Sequence, residues 1–510
     1  MRIRNIWTLG VLCLSLYGVV APIASAEPVP KQKLLSVITN CIDNVLEHGR
    51  DNYGEVHTPM FMSLIDVRDN TSPREPETFD ALIRSEGRLH RRNPGGSDLW
   101  EDQPLLRTMY ELAERHGKSE YATAADDYTR VFFERSVKPN GMNAWGSHIF
   151  YDAYTDAPGG DGDGTGPHET LVLVPNWNRM WAATPGQVKR EVDNLWKYHI
   201  VDEETGVFNR HDDNRWGCDF AFFGGEMAYA FSVAYKQTGE QIYLQRAKTI
   251  ANRHWNARNP ETNLAPDAPS TGDRYDAHHS FTTITGPYAS LLMKCYEETG
   301  DTMFRDQALA YIRAYLKYGW DADAQQWRAM LKLDGTPVMS QPKGDGYDVW
   351  KPTGYIDIWR TVMFSYEFPI LAAQSALYAY EVTDDEAALQ SAKHWATNIN
   401  ANMPPSYGRR WGDELEKAIP GSTAMGGTYA ENYGRSISFF LGMHHATKDP
   451  EHLETAHALA RDAIDKLVTE NGWVKGQPAK HYYESVDGVG FLLYALLELA
   501  EYPNRLPANL

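Results

Sequence analysis

Apolar residues recur along the chain at intervals of three and four, in pairs of segments separated by short polar turns. Tyr243, Leu244, Ala247 and Ile250 are one example, and residues at this spacing share one face of a helix. The segment follows a second apolar stretch, Phe231 to Tyr235, across a turn. The pattern therefore predicts helical hairpins.

Five of these hairpins align on their turns without gaps. In each one, an alanine of the second helix follows nine residues after the first turn residue. The middle turn residue is Gly, Lys or Asp, which suits the end of one helix, and a polar residue then starts the next. The turns are His116-Gly117-Lys118, Thr238-Gly239-Glu240, Thr299-Gly300-Asp301, Thr383-Asp384-Asp385 and Thr447-Lys448-Asp449, and the alanines are Ala125, Ala247, Ala308, Ala392 and Ala456.

The spacing of the repeats predicts further helices. The first interval between the alanines, 122 residues, is twice the second, 61, so one hairpin is expected around Pro185 to Ile200. Helical patterns also occur at Lys31 to His48 and at Gly488 to Ala500. Hairpin repeats either stack as an open solenoid or close into a ring. Because the connections between hairpins are long, aromatic and polar, as if they converged on one mouth, we expect an all-α fold, an α/α toroid (barrel) of six or seven hairpins.

The first 26 residues have the pattern of a signal peptide. Arg2 and Arg4 precede an apolar run from Ile6 to Val20, and Ala24-Ser25-Ala26 forms a cleavage site. We therefore expect a periplasmic or secreted protein with one α/α barrel domain over residues 27–510. Outside the leader, no stretch approaches the ~18 apolar residues of a membrane span, so membrane insertion is not expected.

Composition narrows the choice of partners. The formal net charge is −19, which argues against nucleic acid as a ligand. An acidic protein still binds an acidic polymer if its cleft carries arginines, so the charge does not exclude an acidic polysaccharide. We expect a monomer.

Three cysteines follow the leader, Cys41, Cys218 and Cys295. An odd number does not make a disulfide framework. A single disulfide bridge between two of them stays an alternative, but buried free thiols are the favoured interpretation.

Four residues carry the strongest chemical signal: His148, Glu169, Arg210 and His211. Two imidazoles and one carboxylate suit a divalent first-row ion and leave coordination positions open. Spacing alone is weak support, since the chain has 17 His and 68 acidic residues. The context strengthens it, because both histidines end aromatic-led segments rich in Gly and Asn, which predict loops.

This set resembles the family 2 polysaccharide lyases, which are pectate lyases with an α/α barrel. The order His148, Glu169, Arg210, His211 matches the family's pattern, and similarity in Trp145-Gly146-x-His148 and Asn209-Arg210-His211 supports it. The similarity covers roughly residues 90 to 230, with a looser likeness beyond. The resemblance implies His148, Glu169 and His211 as metal ligands, Mn²⁺ as the favoured ion (Co²⁺, Ni²⁺, Fe²⁺ or Zn²⁺ as others), and Arg210 as the Brønsted base.

Other candidates lie in the connections between hairpins. An arginine with aromatic neighbours suits a uronate chain, with one guanidinium for each carboxylate and one ring for each sugar face. The predicted substrate-binding residues are Trp177, Arg179, Arg274, Tyr275, Arg360, Tyr429 and Arg435. The Asp- and Gly-rich stretch Asp156 to Gly166 is a lid, a second cation site or, the favoured interpretation, a surface loop.

The function expected from these features is metal-assisted β-elimination on a polyuronate such as polygalacturonate. A metal on the C6 carboxylate stabilises the charge that develops when the C5 proton is removed. An arginine base is unusual on pKa grounds, so this role comes from the resemblance, and a carboxylate-binding role stays open. The alternatives are a metal-independent uronyl hydrolase or sugar epimerase, using acids such as Asp98, Asp219, Asp276 or Glu431, and a glycan-binding protein without turnover.

Overall fold

The computed structural model describes residues 27–76, 95–170, 172–272, 275–340, 351–359, 368–403, 405, 416 and 420–510. Within these ranges, seven helical hairpins form a closed ring, which confirms the predicted α/α toroid. Their helices are α1 (Lys31–His48), α2 (Gln103–His116), α3 (Ser119–Arg135), α4 (Trp177–Ala183), α5 (Pro185–His199), α6 (Ala221–Thr238), α7 (Gln241–Ala257), α8 (Ala289–Thr299), α9 (Thr302–Gly319), α10 (Pro369–Thr383), α11 (Glu386–Asn400), α12 (Ala430–Thr447), α13 (Pro450–Leu467) and α14 (Val489–Glu501). The hairpin that was expected around Pro185 to Ile200 is formed by α4 and α5.

The ring closes through the first and last helices of the series. Helix α14 packs against α12 on one side and α2 on the other, and α1 lies outside α14. An ion pair of 2.8 Å joins Lys31 Nζ to Glu501 Oε1, at the start of α1 and the end of α14. Helices α1 and α14 therefore form the seventh pair.

Inner and outer helices differ in their burial, as their sequences predict. All residues of the inner helix α6 from Ala221 to Ala234 are buried. The outer helix α7 buries one face only, through Tyr243, Ala247, Ile250, Ala251 and His254. A helix that is apolar on every side belongs in the interior, whereas a single apolar stripe covers a core from outside.

The five aligned turns have the predicted conformation. Their middle residues end the preceding helix in the left-handed region, where glycine meets no Cβ penalty. The five alanines nine positions after the turn start are fully buried, so each marks a point where the outer helix packs closely. The middle residues and their φ angles are Gly117 (69°), Gly239 (73°), Gly300 (70°), Asp384 (54°) and Lys448 (62°).

Short strands occupy the long connections between hairpins. Two-stranded sheets join β1 (Leu64–Asp66) with β11 (Tyr482–Glu484), β5 (Ile200–Asp202) with β6 (Val207–Phe208), β7 (His279–Ser280) with β10 (Leu331–Lys332) and β8 (Trp320–Asp321) with β9 (Gln326–Trp327); one sheet has three strands, β2 (Gly96–Ser97), β3 (Ile149–Asp152) and β4 (Ala157–Gly160). These pairs are antiparallel. The long connections lie at the end of the ring where the inner helices begin, which we call the mouth. The positive ends of the inner helix dipoles therefore face the mouth.

The three described cysteines, Cys41, Cys218 and Cys295, are buried and free. This confirms the favoured interpretation. Burial raises the pKa of each thiol to about 12, so these groups are protonated and unreactive at neutral pH.

The signal-peptide prediction, residues 1–26, lies outside the described residues. Among the helices that the structure does describe, none combines the length and the apolar character needed to cross a bilayer.

Candidate metal centre

Two neighbouring connections at the mouth supply the predicted ligands. His148 and Glu169 lie between α3 and α4, and His211 lies between α5 and α6. The backbone of Ser147 donates to the carbonyl of Glu169 at 2.5 Å. Gly146 has φ 95°, and a Cβ there would lie 2.2 Å from the Glu169 carbonyl oxygen. Only glycine allows this approach, which places the first two ligand segments side by side.

The three ligand side chains converge on one point. Their ligand atoms all lie within 4.8 Å of one another. His148 Nε2 is 2.8 Å from Glu169 Oε2, and His211 Nε2 is 3.1 Å from the same oxygen. His148 and Glu169 are buried and His211 is half-buried, so the group is open on the His211 side. Two imidazole nitrogens and a carboxylate at this spacing fit a divalent cation with open positions.

Arg210 sets the charge of the central carboxylate. Its Nη1 donates to Glu169 Oε1. Burial alone would raise the pKa of Glu169, but the Arg210 charge and the hydrogen bonds from His148 and His211 hold that pKa well below its usual range. Glu169 is therefore ionised, as a metal ligand must be.

Two aromatic rings fix the Arg210 guanidinium. Its Cζ lies 4.7 Å from the centroid of the Phe220 ring and 5.5 Å from that of Tyr275. The backbone N–H of Arg210 donates to the Cys218 carbonyl at 2.9 Å. The guanidinium is thus held beside the ligand group by rings as well as by charge.

Asp161 orients the first ligand. Its Oδ2 lies 2.8 Å from His148 Nδ1, and its backbone N–H donates to the His148 carbonyl at 2.8 Å. A carboxylate on Nδ1 keeps a proton there, so that Nε2 could exchange its hydrogen bond to Glu169 for coordination of an ion. Asp161 belongs to the stretch Asp156 to Gly166, which the sequence favoured as a surface loop. The structure places Ala157–Gly160 of this stretch in β4 and leaves Asp161 exposed at the surface, and it also brings the Asp161 carboxylate to His148. The position of Asp161 between two ligands was the only signal for this contact in the sequence.

The predicted substrate-binding residues fall into separate groups. Tyr275 lies beside Arg210, so the structure brings it to the site. Trp177 is buried against Trp100 and Trp145, with ring centroids 6.1 and 5.9 Å away. Arg274 and Arg360 lie outside the described residues.

The remaining three predicted contacts are engaged elsewhere. Arg179 pairs with Glu114 on an exposed face. Tyr429 is buried, and Lys480 Nζ lies 5.7 Å from its ring centroid. Arg435 is fully buried, and its Nε donates to Glu431 Oε1 at 2.8 Å. None of these three is placed against the ligand group by a contact of the described residues.

The acids of the alternative hydrolase hypothesis also have structural partners. Asp98 accepts the Gly146 N–H at 2.8 Å, so it supports the loop that carries His148. The others form ion pairs at 2.8 to 3.0 Å: Asp219 with Arg253, Asp276 with His279, and Glu431 with Arg435. These carboxylates hold the connections in place.

Comparison with known proteins gives a match over the part of the chain that carries these residues. The family model described as periplasmic pectate lyase matches residues 91–224, which include all four residues of the predicted motif. A curated relative, the pectate disaccharide-lyase of Dickeya dadantii (strain 3937), is 21% identical over 260 residues, which cover 45% of this chain and 45% of that protein. The match thus spans less than half the length of this relative.

Solved structures are similar to this chain at low identity. D-mannose isomerase has a TM-score of 0.49 at 11% identity and covers 94% of this chain and 99% of its own. Cellobiose 2-epimerase from Bacillus thermoamylovorans B4167 has a TM-score of 0.47 at 11% identity, covering 91% and 98%. Likenesses at these scores carry no conclusion about fold or activity. The family model and the curated relative confirm the predicted resemblance to family 2 pectate lyases, a family of polysaccharide-cleaving enzymes.

Proposed function

We propose that this protein is a secreted or periplasmic lyase that cleaves a 4-linked polyuronate, polygalacturonate first, by metal-assisted β-elimination. The observation that carries the proposal is the convergence of His148, Glu169 and His211 with Arg210 held beside them. We include in it a signal peptide at residues 1–26 and one catalytic domain over residues 27–510, acting as a monomer.

The chemistry assigns a task to each residue. His148, Glu169 and His211 would hold a divalent ion, Mn²⁺ by the resemblance, and Asp161 orients His148. A bound ion supplies Lewis-acid stabilisation of the charge that develops on the uronate carboxylate. The open His211 side of the group gives the substrate its approach.

Arg210 is the residue proposed to act on the substrate. Its guanidinium donates to the ligand Glu169, so it lies beside the ligand group. In the proposed reaction Arg210, in its neutral form, takes the C5 proton; the C4=C5 double bond forms as the bond from C4 to the glycosidic oxygen breaks, and that oxygen leaves with a proton from solvent. The base role rests on the family resemblance, because an isolated guanidinium stays protonated. Tyr275 packs on this guanidinium and is proposed as a substrate contact, together with its chain neighbour Arg274.

The test is a metal-dependent rise in ultraviolet absorbance on a panel of uronate polymers. Elimination creates a 4,5-unsaturated non-reducing end that absorbs, whereas hydrolysis creates a saturated one. We expect absorbance to rise with polygalacturonate, to stop with EDTA and to return with Mn²⁺. New reducing ends without absorbance, insensitive to EDTA, would instead support the uronyl hydrolase, and binding without any new ends would support a glycan-binding protein.

A further inference from the structure

Behind the ligand group, a chain of buried hydrogen bonds runs through three side chains. Trp145 Nε1 lies 2.8 Å from His168 Nε2, and His168 Nδ1 lies 3.0 Å from His199 Nε2. His199 Nδ1 lies 2.8 Å from the Asn209 carbonyl oxygen. Trp145 is 1% exposed, and His168, His199 and Asn209 are fully buried. We call Trp145, His168 and His199 the relay.

The direction of each hydrogen bond in the relay follows from its first donor. An indole nitrogen only donates, so His168 Nε2 accepts and the His168 proton is on Nδ1. His199 Nε2 then accepts, and its proton on Nδ1 goes to the Asn209 carbonyl. Both imidazoles are neutral in this arrangement, and His168 Nε2 also lies 3.5 Å from Glu191 Oε1.

The residues joined by the relay's hydrogen bonds include one within three sequence positions of each predicted ligand. Trp145 precedes His148 by three residues, His168 directly precedes Glu169, and Asn209 is two residues before His211. The relay therefore ties together the three backbone segments that carry the ligands, although none of its side chains is itself among the ligands.

A second buried link runs parallel to the relay. Asp212, the residue after His211, accepts the His168 backbone N–H at 2.8 Å and the Lys138 ammonium at 2.6 Å. Lys138 also donates to the Gly166 carbonyl at 2.8 Å. The Glu169 and His211 segments are thus joined twice, and Lys138, which precedes His148 by ten residues, is bonded to both.

We infer that Trp145, His168 and His199 are positioning residues that set the spacing of the three ligand segments, and so the affinity of the site for its divalent cation. The inference rests on the proposed function, because it needs the ligand group to bind an ion. A site must hold its ligands within about 0.5 Å of the productive geometry. A segment released from the relay would let its ligand move beyond that range.

The test compares two fully buried tryptophans, each with an indole N–H bonded at 2.8 Å. Trp145→Phe removes the first donor of the relay, and Trp473→Phe removes the donor to Asn70 Oδ1, away from the ligand segments. Metal-free protein is titrated with Mn²⁺ by calorimetry, and thermal unfolding is measured on the same samples. We expect both variants to lose some stability, but only Trp145→Phe to bind Mn²⁺ more weakly, by about 10-fold or more.

A second variant keeps the inference testable if Trp145→Phe does not fold. His199→Gln keeps a donor and an acceptor but changes their reach, and it should weaken Mn²⁺ binding as well. Folded variants that bind Mn²⁺ like the parent would overturn the relay and leave the proposed function standing. A parent protein that binds no Mn²⁺ would reject both together.

Discussion

Two buried charged clusters lie in connections at the mouth, and they use their charges differently. In one, Glu169 lies between Arg210 and two imidazoles. In the other, the fully buried Lys480 ammonium lies 2.8 Å from Glu484 Oε2 and 2.7 Å from Asp487 Oδ2. Each cluster holds a buried carboxylate against nitrogen atoms of neighbouring side chains.

The two clusters differ in how many nitrogen and oxygen lone pairs converge on one point. In the Glu169 cluster, two ring nitrogens and a carboxylate oxygen converge, and their lone pairs exceed the protons available when the imidazoles are neutral. In the other cluster, the Lys480 protons already point at the two carboxylates. The Glu169 cluster is therefore suited to binding a metal cation, whereas in the Lys480 cluster the lysine ammonium is already the cation. Burial of charge therefore does not by itself mark a functional site.

The largest expected effect comes from the central carboxylate. Glu169→Gln should abolish Mn²⁺ binding and polyuronate cleavage, a loss beyond the ~10–100-fold typical when a residue that orients a ligand is removed. The control is Glu226→Gln, also buried, where burial raises the carboxyl pKa well above its usual range, so that loss of a negative charge should matter less there. Calorimetric Mn²⁺ titration and the absorbance assay check both variants. Retained binding in Glu169→Gln would remove Glu169 from the site.

The second prediction concerns the Lys480 cluster. Lys480→Met leaves two buried carboxylates without their cation, so the folded state should lose about 3–5 kcal/mol. Urea unfolding measures this loss. Where the variant is folded, its Mn²⁺ affinity should equal that of the parent, since Lys480 contacts none of the predicted ligands. A large fall in Mn²⁺ affinity in the folded variant would mean that the two clusters are not independent.

The third prediction isolates Arg210 from the metal. Arg210→Lys keeps the charge but loses the planar fork, so turnover should fall by about 10²-fold while Mn²⁺ stays bound. Arg313→Lys, an exposed arginine that pairs with Asp385, is the control and should leave turnover unchanged. Normal turnover in Arg210→Lys would assign the proton transfer to another group.

Local chemistry explains why the fold was predictable. A residue such as Gly117 or Asp384 ends a helix through its own backbone preference, and Ala125 or Ala392 is small because two helices approach there. These signals depend on neighbours a few residues away. A repeated local signal reveals the hairpins and, through their number, the ring.

The site was predictable only where it depends on residue type and order. His148, Glu169 and His211 were found because their types suit a metal and their order resembles a family. The sequence offered Arg435 as a substrate contact because it has aromatic neighbours, but only the structure shows that Arg435 is buried in a pair with Glu431. Contacts such as that of His168 with His199 join residues 31 positions apart and leave no periodic trace.

The smallest expected effect concerns the orientation of His148. Asp161→Asn removes the charge that holds the proton on His148 Nδ1, so Nε2 should be a poorer ligand and Mn²⁺ affinity should fall by about 10-fold. Asp163→Asn, two residues along the same turn, removes an equal charge without that contact and is the control. Calorimetric titration of the two metal-free variants at one ionic strength separates orientation from general electrostatics. A fall in Asp161→Asn alone supports orientation of the ring, whereas equal falls would mean that the turn acts only through its negative charge.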